Sequence, residues 1–246
     1  MNKPSPLVGA PLGSTMFRLA VPGVIGALLT STPGLVEATF LKTSGAEALA
    51  AVALVYPLVI LAGMFSAGAF GGAVSGFTAR AIGAGDHEQA SAVLVCAVLI
   101  SLVGGIAMWF LVMLFGPILY QYASDNATVT EAAQRYAALL FPVIPAYWLI
   151  NMLSSVLRGS GDMIRPALIA ASLLASYILL AFMIIPGQGA SLNEAIEAAA
   201  LAMAGSYLLA VMMAIYFISH STQAIRFRLQ SFRFETLILI VKQGSL

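Results

Sequence analysis

The sequence predicts an all-α integral membrane protein of six transmembrane helices with both ends in the cytoplasm. Three observations carry this. Of the 246 residues, 61% are hydrophobic and only 9% charged, which excludes a water-soluble globular domain. Apolar stretches of about 20 residues or more, the length that crosses a bilayer core, recur along the chain. The basic residues between them are unevenly placed. Lys3, Arg18, Arg80, Arg158, Arg165, Arg226, Arg228 and Arg233 fall on one side, and only Lys42 and Arg135 on the other. The richer side is the cytoplasmic one. A multi-pass protein of the plasma (inner) membrane is expected.

Residues 1–15 form a short cytoplasmic tail with one lysine and no apolar core, so no cleavable signal peptide is expected. Span 1 covers about residues 16–41. Between Arg18 and Lys42 lie 23 residues with one ionisable side chain, Glu37. A carboxylate in hydrocarbon is costly, so an intramembrane acid is a functional candidate by default. Thr30 and Gly26, seven and eleven residues earlier, share its helical face. Pro22 and Pro33 fall inside the span, and each removes a backbone hydrogen bond and bends a helix. The competing reading puts Glu37 roughly 6 Å of helix rise from Leu41, where it would snorkel and pair with Lys42.

Span 2 covers about residues 48–80. No charge occurs from Ala48 to Ala79. Those 32 residues amount to ~48 Å of helix, which reads as one long tilted crossing. Gly68, Gly72 and Gly76 repeat every four residues, a face that lets a neighbouring helix approach closely. Spans 2 and 4 end in the same corner: Arg80 with Gly83, Gly85 and Asp86, and Arg158 with Gly159, Gly161 and Asp162. Glycine stops the outgoing helix and aspartate caps the incoming one. Neither corner is a phosphate cradle, because neither follows a strand or carries the Lys-Ser/Thr ending.

Span 3 covers about residues 88–114, with Gly116-Pro117 as its stop. Trp109, Tyr120 and Tyr122 suit an aromatic belt at the interface. Asn126-Ala127-Thr128 is a glycosylation sequon. Span 4 covers about 136–157 and contains Pro142 and Pro145. Its Asn151, Ser154 and Ser155 read first as interhelical hydrogen-bonding groups, with Asn151 and Ser155 also cavity-lining candidates beside Thr30 and Tyr177. Span 5 covers about 166–185 and span 6 about 196–218. Residues 219–235 form a basic linker, and 236–246 turn apolar again as the start of a seventh span.

Several function classes are excluded. The few bases form no patch for nucleic acid. Cys96 is the only cysteine, so there is no internal disulfide and no thiol metal site. His87 and His220 sit outside the spans. No Ser-His-Asp set, no HExxH and no carboxylate pair is present. No enzyme and no cofactor are expected, and no structural metal.

Three stretches resemble a known family. PGLVEATFLKTSGAEALAAVALVYP is similar to the first-span signature of the MATE (multidrug and toxic compound extrusion) transporters. GFTARAIGAGDHEQA resembles that family's corner after span 2, and SSVLRGSGDMIRPALI its corner between spans 4 and 5. The resemblance covers nearly the whole chain. It implies one N-terminal six-helix lobe of a twelve-span, two-lobed exporter of cationic or amphipathic compounds, driven by protons or sodium ions. A C-terminal lobe, or a second copy, is the implied partner. The resemblance places the coupling acid at Glu37 and the bending proline at Pro22. Where the family often has an asparagine and an aspartate in span 5, this chain has Tyr177 and Ala181. Fewer oxygen ligands tilt the expectation from sodium toward the proton. Two alternatives stand beside this: a lipid-linked precursor flippase of related architecture, for which a cationic cavity is expected, and a truncated half that does not transport.

Overall fold

The computed structural model describes residues 12–185, 191–220, 227 and 229–245. The tail through residue 11 with Lys3, and Arg226 and Arg228 of the linker, lie outside the described residues. Within them the chain forms nine α-helices: α1 Leu12–Leu41, α2 Ala46–Gly63, α3 Phe70–Gly83, α4 His87–Ala123, α5 Ala127–Leu140, α6 Ile144–Gly159, α7 Ile164–Ile184, α8 Leu192–Ser219 and α9 Phe234–Gly244. No strand occurs among the described residues.

These helices make six membrane-length segments. Two are composite. A π-helical turn, Met64–Ala69, joins α2 to α3, so Ala46–Gly83 is one 38-residue crossing. A 3-10 turn, Phe141–Val143, joins α5 to α6 at Pro142, where the proline cannot donate the next helical hydrogen bond. α1 stays helical through Pro22 and Pro33. Missing backbone bonds at proline are tolerated when the flanking turns remain satisfied.

Several boundaries differ from the sequence reading. Gly116-Pro117 does not end span 3, and α4 continues to Ala123. Continuation places Tyr120 on the same face as Val112 and Gly116, at four-residue spacing, and buries it. Of the expected belt, Tyr122 is exposed and Trp109 partly so. Span 4 begins nine residues earlier than its apolar pattern, at Ala127, because Asn126 caps it. Its Oδ1 accepts from the Thr128 and Val129 backbone N–H groups at 2.9 and 3.4 Å, satisfying two donors that a helix start leaves free. The first turns of α5 are polar outside but bury Val129, Ala132, Ala133 and Tyr136.

The two matching corners fold alike. Asp86 N donates to Ala81 O and Gly85 N to Ile82 O; Asp162 N donates to Leu157 O and Gly161 N to Arg158 O. This double closure needs a left-handed residue, and Gly85 and Gly161 supply it at φ 72° and 85°. Asp86 then caps α4 through Gln89 N at 2.8 Å. Asp162 accepts from Ile164 N and Arg165 N at 3.1 and 3.0 Å.

The helices pack through small residues. The buried core includes Ala90, Ala97, Ala195, Ala199, Ala202 and Ala210. In a bilayer, association rests on close packing and interhelical hydrogen bonds rather than on the hydrophobic effect. One such bond runs from Asn151 Nδ2 to Ser66 Oγ at 2.8 Å and ties α6 to the π-turn of span 2. The close approach expected at Gly68, Gly72 and Gly76 is not made there, since nothing lies within 4 Å of a Cβ built at any of the three. The π-turn shifts the helical register, and the tight contact falls instead at Gly71, against Ser155. α9 lies along α3 and α4, with Arg233 paired to Glu88 at 2.8 Å and Gln89 Nε2 donating to Thr236 Oγ1 at 3.1 Å.

Candidate functional site

A cavity of about 660 Å³ lies among the helices of the lobe. α1 contributes Pro22, Thr30, Pro33 and Glu37 to its wall, and α6 contributes Asn151, Ser154 and Arg158. Four tyrosines from four different helices complete the polar lining: Tyr56, Tyr136, Tyr147 and Tyr207. The volume is in the range that holds a drug-sized molecule.

Glu37 is the only acid on this wall among the described residues. It is 1% exposed, although it lies only four residues from the end of α1. It forms no ion pair with Lys42, which is exposed. Instead Tyr136 Oη donates to Glu37 Oε1 at 2.7 Å. The snorkelling reading is therefore not the observed arrangement. The helical face that carries Glu37 turns inward because α1 packs chiefly along α7, leaving Val24, Leu28 and Leu35 outward. A tyrosine hydroxyl can donate to the carboxylate or accept from the protonated acid, so the pair has a bonded arrangement in either state.

Tyr147 and Tyr207 stack at 4.9 Å between ring centroids. The ring of Tyr56 lies over Gly34, where a Cβ would collide with it. These tyrosines escaped the sequence reading. Their signal was a phenol within an otherwise apolar span, since a buried hydroxyl seeks a polar partner. Arg158 was read only as a corner residue, yet it also lines the cavity. Its twin Arg80 points outward, 4.4 Å from the Phe77 ring centroid and 3.4 Å from Gln243 Oε1.

Two expected wall residues lie behind the wall. Ser155 is fully buried and faces α3 at Gly71. Tyr177 is fully buried in the row Leu173, Tyr177, Ala181, the inward face of α7 at four-residue spacing. Its hydroxyl has no hydrogen-bond partner among the described residues. Tyr177 and Ala181 thus fill packing space. Gly83 meets nothing within 4 Å, whereas a Cβ at Gly159 would strike the Ser75 carbonyl oxygen. The two corners share their turn but not their packing.

Six membrane-length segments among the described residues, five of which wall a tyrosine-lined cavity, define a multi-pass membrane protein with the build of one transporter lobe. The MatE family model matches residues 22–183, and the chain belongs to that family, whose members are transporters and not enzymes. A FAD transporter of Shewanella oneidensis is 27% identical over 210 residues, covering 85% of this chain and 46% of that protein. Among solved structures, a MATE protein in the bent conformation superposes with a TM-score of 0.85 at 25% identity, over 95% of this chain and 52% of that one. A MOP superfamily transporter from Pyrococcus furiosus gives 0.82 at 26%, over 94% and 51%. The chain spans about half the length of these relatives.

Proposed function

We propose that this lobe belongs to a secondary active exporter of amphipathic organic compounds, with Glu37 as its proton-coupling group. The observation that carries the reading is a single, sealed carboxylate on a cavity wall, bonded to a tyrosine hydroxyl rather than to a base. Protonation removes a charge that burial disfavours, and a cationic substrate competes for the ionised form. α1 carries the group together with Pro22 and Pro33, so repacking of this helix links protonation to the cavity. One carboxylate suits a proton better than a bare sodium ion, which seeks several oxygens. The aromatic wall suits flat rings. The flippase alternative calls for a cationic cavity, and among the described side chains this one has a single base against a single acid.

Alternating access in two-lobed transporters is a rocking of one lobe against the other, so transport is proposed for this lobe joined to a second one, a C-terminal lobe or a second copy. The test is reconstitution into proteoliposomes with an imposed pH gradient and a fluorescent aromatic cation. Gradient-driven movement by the two-lobed form supports the reading. Transport by a monodisperse monomer of the lobe alone overturns the two-lobe part.

The orientation is testable separately. Reporter fusions at Ser44 and Asn126 are expected outside, and fusions at Asp86, Asp162 and Gln230 inside, in the plasma membrane. An outside signal at Asp86 contradicts the single crossing of Ala46–Gly83.

A further inference from the structure

Among the described side chains the cavity wall is charged at two separated places. Glu37 lies near the end of α1 and Arg158 near the end of α6. Three crossings, Ala46–Gly83, His87–Ala123 and Ala127–Gly159, separate those ends, so they face opposite sides of the membrane. Among the described side chains Arg158 is the only base on the wall, and no carboxylate among the described residues pairs with it. The acid next to it in sequence is already committed. Asp162 caps α7 through two backbone N–H groups and binds Arg165 Nε at 3.3 Å.

The one side-chain hydrogen bond that Arg158 makes among the described residues runs from Nη2 to Ser155 Oγ at 2.8 Å. That hydroxyl donates its own proton to Asn151 O at 2.8 Å, so it can only accept from the guanidinium. Asn151 in turn is held by Ser66. The guanidinium is thus oriented by Ser155, with most of its five N–H donors unspent. The corner sequence does not demand this placement, because Arg80 in the matching corner turns outward. A half-buried cation without a counter-ion is unfavourable unless an anion completes it, and the planar fork fits a phosphate or carboxylate with two parallel bonds.

We propose that Arg158 is a specificity-determining residue that binds an oxyanionic group, phosphate or carboxylate, on an aromatic substrate held in this cavity. This rests on the reading of the cavity as the substrate path. It assigns the site to anionic and amphoteric aromatic compounds as well as to cations.

Matched probes test it on the full 246-residue chain in detergent, by fluorescence anisotropy. Riboflavin and riboflavin 5′-phosphate differ by the phosphate; coumarin-3-carboxylate and its ethyl ester differ by the free acid. The expected result is binding of at least one anionic member about tenfold tighter than its neutral partner, the size of one charged hydrogen-bonded contact. Arg158→Gln should erase that ratio, and Arg158→Lys should restore part of it. Elution profile and melting temperature establish that each variant is folded. Which pair shows the preference decides between phosphate and carboxylate. No preference in either pair, or a preference that survives in Arg158→Gln, overturns the assignment. Rhodamine 6G, a cation, separates the two levels. If it binds without any anion preference, only the role of Arg158 fails; if no probe binds, the cavity reading fails with it.

Discussion

Replacing Glu37 by Gln is expected to reduce pH-gradient-driven transport by the two-lobed protein to the level of empty vesicles. Expression, insertion and melting temperature should stay near those of the unmodified protein. The substitution keeps the size of the side chain and an oxygen that accepts from Tyr136, now 2.7 Å from Oε1, but it removes the ability to ionise. A purely structural Glu37 would therefore tolerate the change. Tyr136→Phe provides the complementary test. It removes the donor and leaves the acid, so transport should persist with a shifted dependence on pH. Lys42→Ala should have little effect, because Lys42 is exposed and unpaired with Glu37 among the described residues. Wild-type transport by Glu37→Gln would remove the coupling role and leave the function resting on family membership.

The second large effect concerns stability. Gly105→Ala and Gly159→Ala are each expected to destabilise the lobe by about 1–3 kcal/mol, the usual cost of overpacking a tight interior. At Gly105 a Cβ would run into the backbone of Pro145, and at Gly159 into the Ser75 carbonyl oxygen. Backbone cannot swing aside as a flexible side chain can, so α4 would be pushed from α6, and α6 from α3. Gly76→Ala is the internal comparison. Nothing lies within 4 Å of its Cβ, and alanine is the better helix former by up to roughly 1 kcal/mol. Thermal unfolding in detergent should show the first two variants melting below the unmodified lobe and Gly76→Ala melting at or above it. A Gly76→Ala lobe as unstable as the other two would contradict the packing described here.

The two corners, the six crossings and the candidate acid were legible because each rests on local chemistry. Gly85 and Gly161 take a backbone conformation that other residues resist. Asp86 and Asp162 satisfy N–H groups within three residues of themselves. Glu37 stands out because a lone acid in 23 apolar residues is costly wherever the helix packs. The misreadings were of another kind. Gly116-Pro117 looked like a stop, but a proline interrupts only one backbone bond when the flanking residues still bury a face, as Val112 and Tyr120 do. The glycine row at 68, 72 and 76 looked like a contact face, but the π-turn rotated it away from its neighbours.

What the sequence by itself determined is what depends on residue type and short spacing: an all-helical membrane lobe, its crossings, its turns and the lone acid between Arg18 and Lys42. Tertiary structure alone decided which groups meet. Tyr136 is 99 residues from Glu37 along the chain and donates to it across two helices. Arg80 and Arg158 occupy equivalent places in matching corners, yet one faces outward and the other faces the cavity. Ser155 and Tyr177 carry the polar groups expected on the wall but are turned behind it. In a helix the backbone fixes only the angular position of a side chain. Which neighbour fills that angle depends on how rigid helices pack, and that is set by contacts far apart in sequence.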